Sequence, residues 1–137
     1  MKTYAYQLDI QWEKKKDNFR KIMKLTELHQ PDKGSLIILP EMFATGFSMN
    51  TEITQEKEDG PSVNFLKTFA SETGCYVIGG MTQTKAIGKP TNDALLISPD
   101  GRRMGEYSKI HPFSLGKENE HYADGNTVFT FELPNGF

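Results

Sequence analysis

The sequence predicts an α/β layer fold, and three observations predict it. A strand-like opening precedes an amphipathic helix, a short and wholly apolar run follows, and a second amphipathic helix then leads into a series of further strands. Strand, helix and buried strand in that order make a β-α-β start, with the helix covering one face of the sheet. At 137 residues the chain is long enough for one domain with its own core. No internal repeat, low-complexity tract or linker divides it.

Each element has a local reason. Residues 3–11 alternate bulky and polar side chains, the period of a strand. Over residues 14–29, Phe19, Ile22, Met23, Leu25 and Leu28 fall mostly on one helical face, and Lys14, Lys15, Lys16, Lys21 and Lys24 take the solvent side. Pro31, Asp32 and Gly34 end that helix. Leu36, Ile37, Ile38 and Leu39 form a continuous apolar run, as a strand buried on both faces does.

The second helix is expected over residues 61–73. Asp59 and Gly60 lead into Pro61, which suits the first helical position. Val63, Leu66, Phe69 and Ala70 make the apolar stripe, and Gly74 suits the left-handed residue that closes a helix. Strands follow at 75–82, 93–97 and 104–107, joined by residues 85–90 and the Ser98-Pro99-Asp100-Gly101 turn. A last strand is expected at 128–133, ahead of Pro134, Asn135, Gly136 and Phe137. Asn-Gly beside an alternating strand signals a hairpin, and an uncovered edge strand invites aggregation. The favoured expectation is therefore a chain truncated before its partner strand, over the plainer alternative of a frayed terminus.

Bulk properties narrow the function. The net charge is −2, which supplies no electrostatic attraction to nucleic acid or to an anionic membrane. One cysteine excludes an internal disulfide framework and fits a reducing compartment. Polar residues recur through MKTYAYQLDIQW, so the start reads neither as a signal peptide nor as a membrane span. The expectation is a soluble, cytoplasmic chain.

Three segments hold candidate chemistry. In LIILPEMFATGF, Glu41 directly follows the apolar strand, where partial desolvation would suit a carboxylate to general-base work. Pro40 ends the strand's hydrogen bonding and Gly46 lets the loop turn; taken alone, such a Glu is more often a surface residue. In YSKIHPF, Lys109 also follows a strand, and beside Glu41 it could stay cationic and stabilise an oxyanion. Alone it would be a solvated strand-end lysine. His111 is more often a packing or backbone-orienting residue than a catalyst.

In ENEHYADGN, Glu118, Glu120 and His121 match no compact metal-ligand spacing, so a solvated acidic loop is the default and no metal or cofactor is expected. Cys75 opens the apolar run CYVIGG with no neighbouring cation to lower its pKa, so it reads as a buried structural residue rather than a nucleophile.

Together these segments resemble the nitrilase, or carbon-nitrogen hydrolase, superfamily, and LPEMFATGFSMN is close to its ω-amidase branch. The resemblance runs through Gln7, Asp9 and Trp12, DGP at 59–61, GG at 79–80, Asn92, SPDG at 98–101, YSKIHPF at 107–113 and EHYADGN at 120–126. Pro112 stands where Leu is common and Ile110 where Arg is frequent, both leaving the lysine in register. The resemblance implies a four-layer α-β-β-α sandwich, of which residues 1–137 supply the N-terminal part of a single domain: one helix layer, much of one sheet and part of the second. It implies Glu41 as general base, Lys109 as catalytic lysine and Glu118 as auxiliary glutamate, with Glu120 as fallback.

The implied reaction is hydrolysis of small linear amides, such as the ω-amides of 2-oxo acids, through a cysteine thioester. Carbamoyl amides, nitriles and a non-catalytic binding role are the alternatives. The nucleophilic cysteine is implied on a strand beyond the hairpin, so the chain is expected to be inactive alone; a homodimer is also implied.

Overall fold

In the computed structural model, which describes residues 1–134, the elements run β1 (Thr3–Ala5), α1 (Lys15–His29), β2 (Leu36–Ile38), α2 (Thr51–Thr54), β3 (Gln55–Glu56), α3 (Pro61–Thr73), β4 (Tyr76–Gln83), β5 (Thr91–Ile97), β6 (Arg103–Ser108) and α4 (Glu118–His121), with a 3-10 turn at Ser114–Gly116 before α4. All strands join one six-stranded sheet in the order β1-β2-β4-β5-β6, and β3 pairs with the far end of β4. The first three strands are parallel and the last two pairings antiparallel. Parallel neighbours need a crossover, and α1 and α3 lie in the connections that supply it.

Both helices cover the same sheet face. Ile22 of α1 and Val63, Leu66, Phe69 and Ala70 of α3 are buried against Ile37, Val77, Leu95 and Ile97. Phe65 ties the helices together, stacked 4.3 Å from Phe19 and 5.4 Å from Phe69 between ring centroids. Each fully buried Val, Leu, Ile or Phe side chain of this set contributes about 1.5–3 kcal/mol relative to solvent exposure. The opposite face carries Leu36, Ile38, Tyr76 and Ile78, all only partly buried, so β2 is fully buried on one face and not on both as its apolar run predicts, because among the described residues no second layer covers it. Among the described residues no helix is long and apolar enough to cross a membrane.

The helix expectations hold closely. Pro61 opens α3 and Gly74 closes it with a φ of 65°. Three further expectations need correction. Sheet pairing stops at Ala5, although alternation continues to residue 11. Tyr6 still donates its N–H to Ile38 O at 2.9 Å, but further on Asn18 of α1 takes over: its side chain accepts from Gln11 N at 2.7 Å and donates to Gln11 O at 2.8 Å. The inward Tyr6 and Leu8 side chains pack on the core beyond the paired part of β1.

Residues 128–133 are not a strand. Val128 and Phe129 are largely exposed, and the segment is fastened by side chains instead, with the Phe131 ring lying over Gly105 of β6. Asn135 and Gly136, where the hairpin is expected, lie outside the described residues. Among the described residues there is one sheet and no part of a second. The short α2 and β3 were not anticipated; two to four residues leave no period to read.

This topology brings distant residues to one end of the sheet. β2 and β4 run the same way, β5 runs back, and β6 runs forward again. The residues that follow β2 and β6 therefore meet those that open β5. Cys75, just before β4, lies at the opposite end.

Candidate active site

The first wall of the site is the turn after β2. Leu39 still donates to Ile78 O at 2.8 Å, and then Pro40 ends the ladder. The turn docks on β4: Phe43 donates to Gly80 O at 3.0 Å, and Gly80 donates to Pro40 O at 3.3 Å. Met42, Phe43 and Ala44 are buried and anchor it. Between these anchors, Glu41 projects outward.

The second wall comes from the two antiparallel strands. Lys109, just past β6, donates its backbone N–H to Asn92 O at 2.8 Å, and its own carbonyl accepts from Gly125 N at 2.8 Å. These bonds fix the lysine backbone from both sides. The third wall is α4, where Glu118 is fully buried. Tyr122 pins this helix to the loop after Glu41, donating its hydroxyl to Ser48 O at 2.6 Å and sharing a 2.7 Å hydrogen bond with the Thr54 hydroxyl.

The functional groups converge on one ammonium. Lys109 Nζ stands 2.8 Å from Glu41 Oε1 and 2.8 Å from Glu118 Oε2. Asn92 Nδ2 donates to Glu41 Oε1 at 2.6 Å and to Glu118 Oε1 at 2.7 Å. Phe113 N donates to Glu118 Oε2 at 2.6 Å. The Phe47 ring lies beneath the lysine, 5.0 Å from Nζ to the ring centroid, in cation–π range.

The electrostatics follow from this packing. Burial alone would push the Glu118 carboxyl up, but the donors Asn92, Lys109 and Phe113 N–H outweigh it and hold the pKa below the ordinary value of 4.5. Burial would likewise lower Lys109, yet its hydrogen bonds to Glu118 and Glu41, with their charges, raise it above 10.5. The lysine is thus a fixed cation at any physiological pH. A cleft of about 530 Å³ opens over it, lined by Glu41, Phe47, Lys109, His111 and Phe113 among others. A larger groove of about 730 Å³ runs along β6 past Arg103 and Glu106, but none of the converging groups lines it.

The structure thus brings Glu41, Lys109 and Glu118 together and leaves Glu120 exposed on the outside of α4. Glu41 is half desolvated, its side chain 48% exposed and facing the open cleft, whereas that of Glu118 is 0% exposed. Glu118 is correspondingly no solvated loop acid. His111 lines the cleft without joining the cluster.

Cys75 is buried, with its thiol donating to Asp32 O at 3.3 Å; burial pushes its pKa up. Asn92 is the residue that sequence reasoning passed over. It stood in the resemblance as a bare identity, and nothing near it in the chain signals that it spans two carboxylates.

Comparison with known proteins bears on this geometry. The family model described as carbon-nitrogen hydrolase matches residues 3–135. A nitrilase of Pyrococcus abyssi is 33% identical over 122 residues, covering 85% of this chain and 45% of that protein. An omega-amidase of Xenopus laevis is 30% identical over 128 residues, covering 88% of this chain and 46% of that protein. Among solved structures, a carbon-nitrogen hydrolase superfamily protein of Xanthomonas campestris, with an arsenic adduct in its active site, superposes with a TM-score of 0.86 at 30% identity, over 96% of this chain and 49% of that one. The chain spans about half the length of the curated relatives it matches.

Proposed function

The chain belongs to the carbon-nitrogen hydrolase family, and from that premise we propose that it carries the Glu- and Lys-bearing part of an amidase for small linear amides, ω-amides of 2-oxo acids foremost. The observation that supports this most is the single ammonium of Lys109 held 2.8 Å from both Glu41 and Glu118 at the floor of a cleft. The substrate class rests on the PEMFATGF segment at 40–47 and on the similarity to an omega-amidase. Residues 1–137 are read as the N-terminal part of one such domain, and pairing of two copies is part of the same proposal.

Each group has a role in acyl transfer. A thiol attacks the amide carbon while Glu41, open to the cleft, takes its proton and passes it to the departing nitrogen. Lys109, permanently charged, faces the oxygen on which negative charge develops. Ammonia leaves; Glu41 then takes a proton from a water as it attacks the thioester carbon, the C–S bond breaks, and Glu41 returns that proton to the departing thiolate while the acid is released. Glu118 touches no reacting atom in this scheme; it positions Lys109 and stays ionised.

In this scheme the thiol is supplied from outside these 137 residues, a reading supported by the burial of Cys75 at the opposite end of the sheet. Removing a nucleophile costs several orders of magnitude in rate, so the chain alone should release no ammonia. The test compares it with the same chain carrying a C-terminal extension that supplies a cysteine, on 2-oxoglutaramate, a carbamoyl amide and a nitrile. Ammonia from 2-oxoglutaramate by the extended protein alone is the expected result. Turnover of the nitrile or carbamoyl amide in its place would move the substrate class, and silence on all three would overturn the reading.

A further inference from the structure

We propose that Asn92 is a positioning residue that locks the Glu41 and Glu118 carboxylates around Lys109. The inference rests on the reading of Glu41 as base and extends it to a residue which that reading leaves without a role.

Two carboxylates and one ammonium in contact leave one negative charge over, and like charges repel unless further donors stand between them. Asn92 is 5% exposed and supplies both missing donors from a single nitrogen, at 2.6 Å to Glu41 and 2.7 Å to Glu118. An amide NH₂ has two protons, and here each has its own carboxylate. The opposite amide orientation would turn the carbonyl oxygen toward two anions, so the hydrogen-bond network selects the nitrogen.

The backbone of the same residue completes the arrangement, since Asn92 O accepts the Lys109 N–H at 2.8 Å. Asn92 therefore touches all three charged residues, and β5 holds it in register with Thr82 of β4. Glu41 needs this most. Its side chain is half exposed and comes from a turn; among the described residues, Asn92 and Lys109 are the donors to its carboxylate. A base swinging freely over the cleft would lose the fixed geometry that proton transfer requires.

The test needs no turnover. Carboxyl carbons of Glu41 and Glu118 are followed by NMR against pH in the unchanged protein and in Asn92→Ala and Asn92→Asp. The titratable groups around them are Lys109 after β6, His111 in the following loop and Tyr122 beyond α4, and all three are monitored. The expected result is a Glu118 midpoint displaced upward in both variants by about one pH unit or more, the size of shift that neighbouring donors and charges produce. A folded Asn92→Ala protein with both midpoints unmoved would overturn the proposal.

A second readout, on the unchanged protein, covers the case of a variant that does not fold. The two Asn92 side-chain amide protons should lie downfield and move as Glu118 is protonated. Unperturbed, pH-insensitive amide protons would likewise overturn it. Because neither readout detects hydrolysis, an absent amidase activity would leave this result standing, and an unmoved titration would leave the proposed function standing.

Discussion

Gly80 has no side chain where Glu41 has its backbone: a Cβ at residue 80 would lie 2.7 Å from Glu41 Cα and 3.0 Å from both Met42 N and Pro40 O. The turn that presents the proposed base can approach the sheet only because that position is empty. The obstructing atoms are main chain, which cannot rotate aside as a side chain can.

Gly80→Ala is therefore expected to lower stability by about 1–3 kcal/mol through overpacking and to lift Glu41 away from Lys109. Urea unfolding measures the first effect. A second check is the distance between the Glu41 and Lys109 side chains in a structure of the variant, and an unmoved pair at full stability would refute the prediction.

A second buried carboxylate serves the fold. Glu56 accepts from Ser62 N and from the Ser62 hydroxyl, both at 2.7 Å, at the start of α3, and pairs with Lys15 of α1 at 2.6 Å. Its side chain is 3% exposed and that of Lys15 is 19% exposed. Glu56→Ala should strip the helix N-terminus of its cap and strand the lysine, costing about 2–4 kcal/mol in chemical denaturation. Glu56→Gln, which keeps one acceptor oxygen, should lose less.

Glu118 predicts an acid limb. Its folded pKa lies below its ordinary 4.5, so the carboxylate's contribution is fully present above that value. It is lost progressively as pH falls through the depressed folded pKa. Stability measured by denaturant titration should thus be level above about pH 5 and decline below it. Glu118→Gln should flatten that decline, and an identical slope in the variant would contradict the assignment. At the alkaline end the sign reverses: the Lys109 contribution is present below 10.5 and lost as pH rises through its raised folded value.

Much of this was legible in the sequence where a local signal coincided with a long-range demand. Pro61 and Gly74 mark α3 because they satisfy rules that hold for any helix, and the apolar run at 36–39 marks a strand, although only its Ile37 face is fully buried. Alternation misled twice. Residues 6–11 alternate because their inward side chains lie on the core, while Tyr6 makes a last bond to β2 at Ile38 and Gln11 pairs with the Asn18 side chain rather than with a strand; residues 128–133 alternate with no ladder at all.

In the site, Glu41 and Lys109 were findable because each ends a strand at the same edge. Glu118 was visible only through resemblance, since ENEHYADGN is a polar sequence whose one buried acid is chosen by contacts with Asn92, Lys109 and Phe113. Asn92 meets its carboxylates 51 and 26 residues away, a relation no window of sequence contains.

Glu41 and Lys109 are proposed as working catalytic groups, whereas the one cysteine of this chain is a core residue. The most direct measurement is the rate of ammonia release from 2-oxoglutaramate by the chain with a thiol-supplying C-terminal extension, beside its Glu41→Gln and Cys75→Ala variants. A loss of about 10²–10⁴-fold or more is expected in Glu41→Gln, and an unchanged rate per folded molecule in Cys75→Ala. Full activity without Glu41, or activity that disappears with Cys75, would contradict these assignments.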